Sequence, residues 1–160
     1  MGKGRKDLIE LAIGPYRVNK ANAWLIAEQI HFRHYKADEL KLAKEFIRRG
    51  ELLGTWFFDV YLANERSAKV LDMTGFGGIS EATPWFDRID ATCLSEGEQY
   101  IIEFKDRLNY SGIGQLLGYK PQYIDQYSPE APVKLGYVYH IDKPELHELA
   151  YEHSIRLWRI

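Results

Sequence analysis

The sequence predicts an α/β fold, with a mixed central sheet and helices of the N-terminal part packed on it. Three observations carry this expectation. Residues 38–49 put Leu40, Ala43, Phe46 and Ile47 on one face and Lys41, Lys44 and Arg48 on the other, the period of an amphipathic helix. Residues 89–105 form two apolar runs around the polar turn Ser95-Glu96-Gly97-Glu98, the pattern of a β-hairpin. Beyond residue 112, helical and strand-like stretches alternate to the last residue, Ile160.

In chain order, residues 21–34 have helical composition, with Trp24, Leu25, Ala27 or Glu28, and Ile30 or His31 one turn apart. The helix over 38–49 follows and stops at Gly50. Residues 52–62 are apolar throughout and read as a third helix, and residues 69–73 as the first core strand. Thr74-Gly75-Phe76-Gly77-Gly78 is a loop, with no Lys-Ser/Thr after it as a phosphate-binding loop would need. Ile89 to Leu94 and Tyr100 to Lys105 are the hairpin strands, with Gly97 free to take a positive φ in the turn. A helix begins near Gly112 and is interrupted at Pro121, leaving Gln115 and Tyr119 one turn apart on one face. Val133–Tyr139 is a strand, Pro144–His153 a helix with proline in its first turn, and Ile155–Ile160 a final strand. No repeat, low-complexity segment or linker divides the chain. It reads as one domain over 1–160, mainly helical over 1–66 and strand-rich over 67–160.

A chain of 160 residues with 46% hydrophobic content can bury an adequate core, and eleven Tyr with four Trp argue against large-scale disorder. The single cysteine, Cys93, excludes a disulfide framework and fits a reducing, intracellular (cytoplasmic) setting; inside a strand it reads as a small packing residue. No stretch reaches the ~18 apolar residues of a membrane span, and Met1 to Lys6 lead into no signal-peptide apolar region. The net charge of −2 is unevenly divided: residues 1–50 hold eleven Lys/Arg against six Asp/Glu, and residues 51–160 ten against seventeen. A basic part can neutralise phosphates while an acidic part collects cations.

The hairpin carries the chemistry. Side chains two apart on a strand share a face, so Glu103 and Lys105 point one way and Ile102 and Phe104 the other. If the strands pair across the turn, Asp90 lies near both. Two carboxylates so placed suit Mg²⁺, which takes hard oxygen ligands and keeps several waters. A lysine beside them can orient or deprotonate an attacking water. Taken alone, Glu-x-Lys on a strand face is a common solvated pair worth under ~1 kcal/mol.

Three motifs in order change that balance: Asp90 in Arg88-Ile89-Asp90-Ala91, then Ile102-Glu103-Phe104-Lys105, then Gln115-Leu116-Leu117-Gly118-Tyr119. From Val70 to Ile160 the chain resembles the PD-(D/E)XK nuclease superfamily, and within it the RecB-like branch. The first motif resembles the acid of the family's second core strand, the second its (D/E)-x-K, and the third the Q-x-x-x-Y of the helix that follows. Two departures stand out. No proline directly precedes the acid, Pro84 being six residues earlier, and Asp87-Arg88-Ile89-Asp90 aligns with either aspartate. Asp90 is preferred because it is nearer the apolar stretch and the hairpin partner.

The resemblance implies a restriction-endonuclease-like αβββαβ core carrying N-terminal helices, and a nuclease that hydrolyses DNA with Mg²⁺ or Mn²⁺. Asp90 and Glu103 would hold the metal, with Asp87 and Glu51 as further candidates. Lys105 would position or activate water, and Gln115 and Tyr119 would support the site. Some RecB-like nucleases place a His or Glu from an N-terminal helix on the metal, and the resemblance leaves Glu51 or Asp59 to serve here without a motif that chooses between them. Lys120 and Arg107 lie close enough in sequence to touch phosphates. His31 and His34 have a metal-compatible spacing but no third ligand pattern, and read as surface residues. Two other readings remain open: a catalytically silent fold that binds nucleic acid or a protein, and an RNA-directed nuclease. A homodimer is expected, since one small subunit offers little surface for both strands of a duplex.

Overall fold

The computed structural model describes residues 7–31, 35–67, 69 and 86–160. A 3₁₀ turn over Asp7–Leu11 leads into β1 (Ile13–Val18), which pairs antiparallel with β2 (Gly54–Leu62). Between these strands lie α1 (Ala23–Gln29) and α2 (Ala37–Arg48). The meander continues antiparallel through β3 (Asp87–Ser95) and β4 (Glu98–Arg107). Then α3 (Tyr110–Tyr127) crosses over to β5 (Val133–Ile141), parallel to β4. A 3₁₀ turn (Pro144–Leu146) and α4 (His147–Glu152) lead to β6 (Ile155–Arg159), parallel to β5. The result is a six-stranded mixed sheet whose spatial order is the chain order.

The β3–β4 hairpin is the one expected, and its two turn residues take the left-handed conformation, Glu96 at φ 49 and Gly97 at φ 81. Elsewhere the structure corrects the sequence reading. Residues 54–62 form the strand β2, not a helix, so the N-terminal part adds two strands to the sheet beside its helices. This strand is flanked on both sides and nearly buried on both faces, so it shows the continuous apolar run that periodicity cannot tell from a helix. The strand expected over 69–73 and the loop over 74–78 lie, apart from Lys69, outside the described residues, and β2 takes the place beside β3. The first helix is shorter than expected, because Ile30 is already extended at ψ 129. In α2, Leu42 is buried together with Ala43, Phe46 and Ile47, and Leu40 is not.

Pro121 does not end α3. It removes one donor from the ladder, but the turns beyond it are held by tertiary bonds. Gln126 donates to the Tyr61 carbonyl at 3.0 Å and accepts from the Ala63 amide at 2.8 Å, and the Tyr127 hydroxyl reaches the same carbonyl at 2.7 Å. Gln126→Leu would leave the Ala63 amide without that acceptor while the Tyr61 carbonyl keeps Tyr127. A loss of about 1–3 kcal/mol in urea unfolding is expected. An unchanged midpoint would mean these bonds do not hold the far half of the helix.

The sheet separates two cores. On one face α1 and α2 pack Ile26, Ala27, Phe46 and Ile47 on Trp56, Phe58, Ala91, Ile102, Phe104 and Trp158. On the other, α3 and α4 pack Ile113, Leu116, Tyr123 and Ala150 on Val60, Ile89, Ile101, Leu135 and Tyr137. Cys93 lies in the first core, its thiol pushed up to about 12 by burial, so it packs rather than reacts. Among the described residues no helix is long and apolar enough to cross a membrane.

The two cores show where the sheet is irregular. Phe58 and Val60 are two apart yet face opposite cores, as do Ile89 and Ala91. Regular strands keep such residues on one face. Both switches occur at one level, because Phe58 pairs with Ala91 and Val60 with Ile89. The residues between are Asp59 and Asp90. Asp59 has φ 51, a left-handed residue inside a strand, which aspartate tolerates better than the β-branched and aromatic residues around it.

Candidate active site

The β3–β4 ladder ends at the same level. Its last pair is Ala91 with Ile102, so the next residues, Asp90 and Glu103, stand across the opening. There the Asp90 carboxylate takes over a ladder position, its Oδ2 accepting from the Phe104 amide at 2.9 Å. The Tyr35 hydroxyl donates to the Asp90 carbonyl, and its ring meets Phe104 edge-on at 6.4 Å. Asp90 is therefore fixed at both its backbone and its side chain.

Lys105 Nζ lies 3.0 Å from Glu103 Oε1 and 3.9 Å from Glu39 Oε1, so a residue in the first turn of α2 joins the end of β4. Asp90 keeps 7% of its surface and Glu103 only 2%. Burial pushes the Asp90 carboxyl well above its usual range and the Glu103 charge adds to the shift, against the Phe104 amide. Burial likewise raises Glu103, to about 7, although Lys105 opposes it. Burial works against the charge of Lys105, but Glu103, with Asp90 and Glu39 behind it, raises its pKa overall. Two carboxylates that resist ionising together beside one ammonium form a site with room for more positive charge.

The helix α3 closes one side. Asn109 caps it, accepting from the Gly112 amide at 2.7 Å, and the Tyr137 hydroxyl donates to the Arg107 carbonyl at 2.9 Å. A side chain at Gly112 would lie 2.4 Å from that hydroxyl, so glycine lets the helix start close to β5. Tyr119 on this helix has its phenol raised by burial and then by Glu103, Asp87 and Asp90, which brings it within the field of all three carboxylates. Gln115 is half-buried one turn earlier, and its Oε1 is buried without a hydrogen-bond partner among the described residues.

Of the residues expected from sequence, Asp90, Glu103, Lys105 and Tyr119 come together. Asp87 is half-buried at the start of β3 and reaches the group through the field on Tyr119. Glu51 does not join: it is exposed beyond the last turn of α2, about 15 Å of helix from Glu39. Asp59 is 1% exposed and stands opposite Asp90, with Arg88 Nε 3.3 Å from its Oδ1. Arg107 is exposed at the end of β4 and Lys120 half-buried on α3. His31 is exposed and His34 lies outside the described residues. At the end of α2, Arg48 pairs with Glu28 and Glu45 at 2.8 Å and Arg49 with Glu45 at 3.0 Å, so these two cations of the basic N-terminal part are locally balanced.

Sequence reasoning missed Glu39, Tyr35 and Arg88. Glu39 carries the ordinary signal of an acid at a helix N-terminus, and nothing in its spacing points to the end of β4. Among the described residues, no three His, Cys, Asp or Glu side chains converge as a ready-made metal cage. The cluster offers instead two buried carboxylates, Asp90 and Glu103. No family model, curated protein or solved structure matches the chain.

Proposed function

We propose that the protein is a divalent-metal-dependent nuclease that hydrolyses DNA phosphodiester bonds, a PD-(D/E)XK enzyme of the RecB-like kind. The observation that carries this reading is the buried Asp90–Glu103 pair with Lys105 3.0 Å from Glu103, at the point where the ladder opens. The order α2-β2-β3-β4-α3-β5 supports it, being helix, three antiparallel strands, helix and parallel strand, as an αβββαβ core requires.

On this reading Asp90 and Glu103 hold Mg²⁺ or Mn²⁺, with Glu39 close enough to Lys105 to join the same polar cluster. An ion held by these two carboxylates would supply Lewis-acid chemistry to the phosphate and the attacking water. Lys105, whose pKa in the metal-free protein is raised by Glu103 against the effect of burial, would as an ammonium orient the water and offset charge on phosphorus. The Tyr119 phenol also stays protonated and donates from the α3 side. Gln115 presents an unpartnered amide oxygen beside it.

Single-stranded, linear duplex and circular DNA incubated with Mg²⁺, Mn²⁺ or EDTA test the proposal. Cutting with metal and none in EDTA is expected, and the circular substrate separates internal from end-directed cleavage. The Lys105 ammonium, 3.0 Å from Glu103, already answers the buried acid and favours a second reading, a silent fold that binds nucleic acid. Salt-sensitive oligonucleotide binding without cutting under any metal would establish that reading and remove the first.

A further inference from the structure

We propose that Arg88, held by the buried Asp59 carboxylate, binds a phosphate of the substrate strand beside the Asp90–Glu103–Lys105 cluster. This rests on the nuclease reading for its substrate and gives a binding role to a residue that the first motif contains without a role.

The geometry starts at Asp59. A left-handed residue in a central strand costs conformational energy, and a carboxylate 1% exposed costs more unless a cation answers it. Arg88 gives that answer from the next strand, Nε to Oδ1 at 3.3 Å. The contact is an ion pair without hydrogen-bond geometry, so Nε is buried with its hydrogen bond unmade and the rest of the guanidinium stays available. Arg88 Nε is buried, yet its side chain keeps 28% of its surface. Among the described residues its terminal nitrogens make no hydrogen bond, and a guanidinium edge of this kind fits two phosphate oxygens at once.

Its position is also suited to the task. Arg88 is two residues from Asp90 on β3, and the Asp59 beside it stands opposite Asp90 between the pairs Phe58–Ala91 and Val60–Ile89. A polyanion approaching two buried carboxylates needs a fixed cation on its path, and Lys105 is already engaged by Glu103 and Glu39. The Asp59 charge keeps that cation beside the carboxylates before substrate arrives, so less side-chain freedom is lost on binding.

The test compares the full-length wild type with Arg88→Gln, Arg88→Lys, Asp59→Asn and the double variant Asp59→Asn/Arg88→Gln. Asparagine tolerates the left-handed conformation, and a thermal melt of each variant checks the fold. Two readouts are taken: binding of a labelled oligonucleotide in EDTA across a salt series, and steady-state cutting in Mn²⁺. Arg88→Gln is expected to weaken binding about tenfold and to lower the salt slope by about one, as loss of one phosphate contact does. Arg88→Lys should recover part of the affinity, and KM should rise more than kcat falls. Asp59→Asn should weaken binding in the wild type but add nothing to Arg88→Gln, since it acts through Arg88.

Wild-type cutting with unchanged affinity and salt slope in Arg88→Gln would overturn the phosphate assignment and leave the nuclease reading standing. Additive losses in the double variant would overturn the positioning role of Asp59. A wild type that neither binds the oligonucleotide nor cuts would overturn both this proposal and the reading beneath it.

Discussion

Glu103→Gln is expected to abolish metal-dependent cutting and, in the same metal-free protein, to raise the melting temperature. The two effects have one cause. Glu103 and Asp90 face each other across the opened ladder, almost wholly buried, and burial together with the charge between them disfavours the ionised pair. Glutamine keeps the shape and can still accept from Lys105 at the position where Glu103 Oε1 now lies 3.0 Å away. It removes one of the two like charges, and about 1 kcal/mol of relief appears as ~2–4 °C in a chain of this size. It also removes an anionic metal ligand, for which a rate loss of at least about 100-fold is expected. Scanning calorimetry in EDTA beside a cleavage assay in Mn²⁺ reads both. A variant that melts lower than wild type would mean that the Lys105 ion pair outweighs the repulsion and that the pair is a structural device.

The pH dependence follows with a definite sign. Glu103 holds its proton more tightly folded than unfolded, with a folded pKa of about 7 against 4.5. Its contribution to stability is therefore complete below about pH 4.5 and is lost as pH rises through 7. The melting curve of wild type should fall relative to that of Glu103→Gln across this window, and Mn²⁺ should restore it at high pH, since metal binds the deprotonated carboxylates. Glu45 and Asp142 shift downwards through their partners Arg49 and His147, but they are surface groups common to both proteins and cancel in the comparison.

The hairpin was legible because its signals are local. Ser95-Glu96-Gly97-Glu98 sets the turn, the turn sets the register, and the register brings Asp90 opposite Glu103 with Lys105 two residues on. The helix α2 was legible for the same reason, its apolar stripe repeating within a few turns. What was missed depends on contacts between distant segments. β2 lost its alternation because strands and helices cover it all round, and Asp59 breaks its facing in a way that one aspartate among GTWFFDVYL does not announce. Pro121 was read as a stop because the bonds that carry α3 past it come from Tyr61 and Ala63 on another element. Glu39 and Tyr35 reach the cluster only through tertiary packing against β3 and β4, and Arg88, although two residues from Asp90, shows its partner only once β2 lies beside β3. The candidate site is thus a locally written pair completed by groups that only the tertiary fold supplies.

Phe46→Ala is expected to cause the largest loss of stability in the molecule and to carry that loss into the site. Phe46 is fully buried on α2, with ring centroids 5.2 Å from Trp158 and 6.0 Å from both Trp56 and Phe104. These neighbours are on β6, β2 and β4, so a single ring ties the helix to three strands. Removing it costs the transfer energy of the ring plus that of the cavity left among rigid aromatics, about 3–5 kcal/mol. That is a large share of the ~5–15 kcal/mol of a typical domain. Phe46→Leu keeps most of the volume and should lose ~1–2 kcal/mol. Phe104 provides the link to function: its ring rests on Phe46, and its amide holds the Asp90 carboxylate at 2.9 Å. Well below its melting temperature, Phe46→Ala should therefore cut DNA several-fold more slowly, because the carboxylate has lost its fixed seat. Urea unfolding of both variants, followed by cleavage at a temperature where each is folded, separates the two effects. Equal midpoints for alanine and leucine would show that the core closes around the gap. A stability loss without slower cutting would show that Asp90 is held independently of the aromatic cluster.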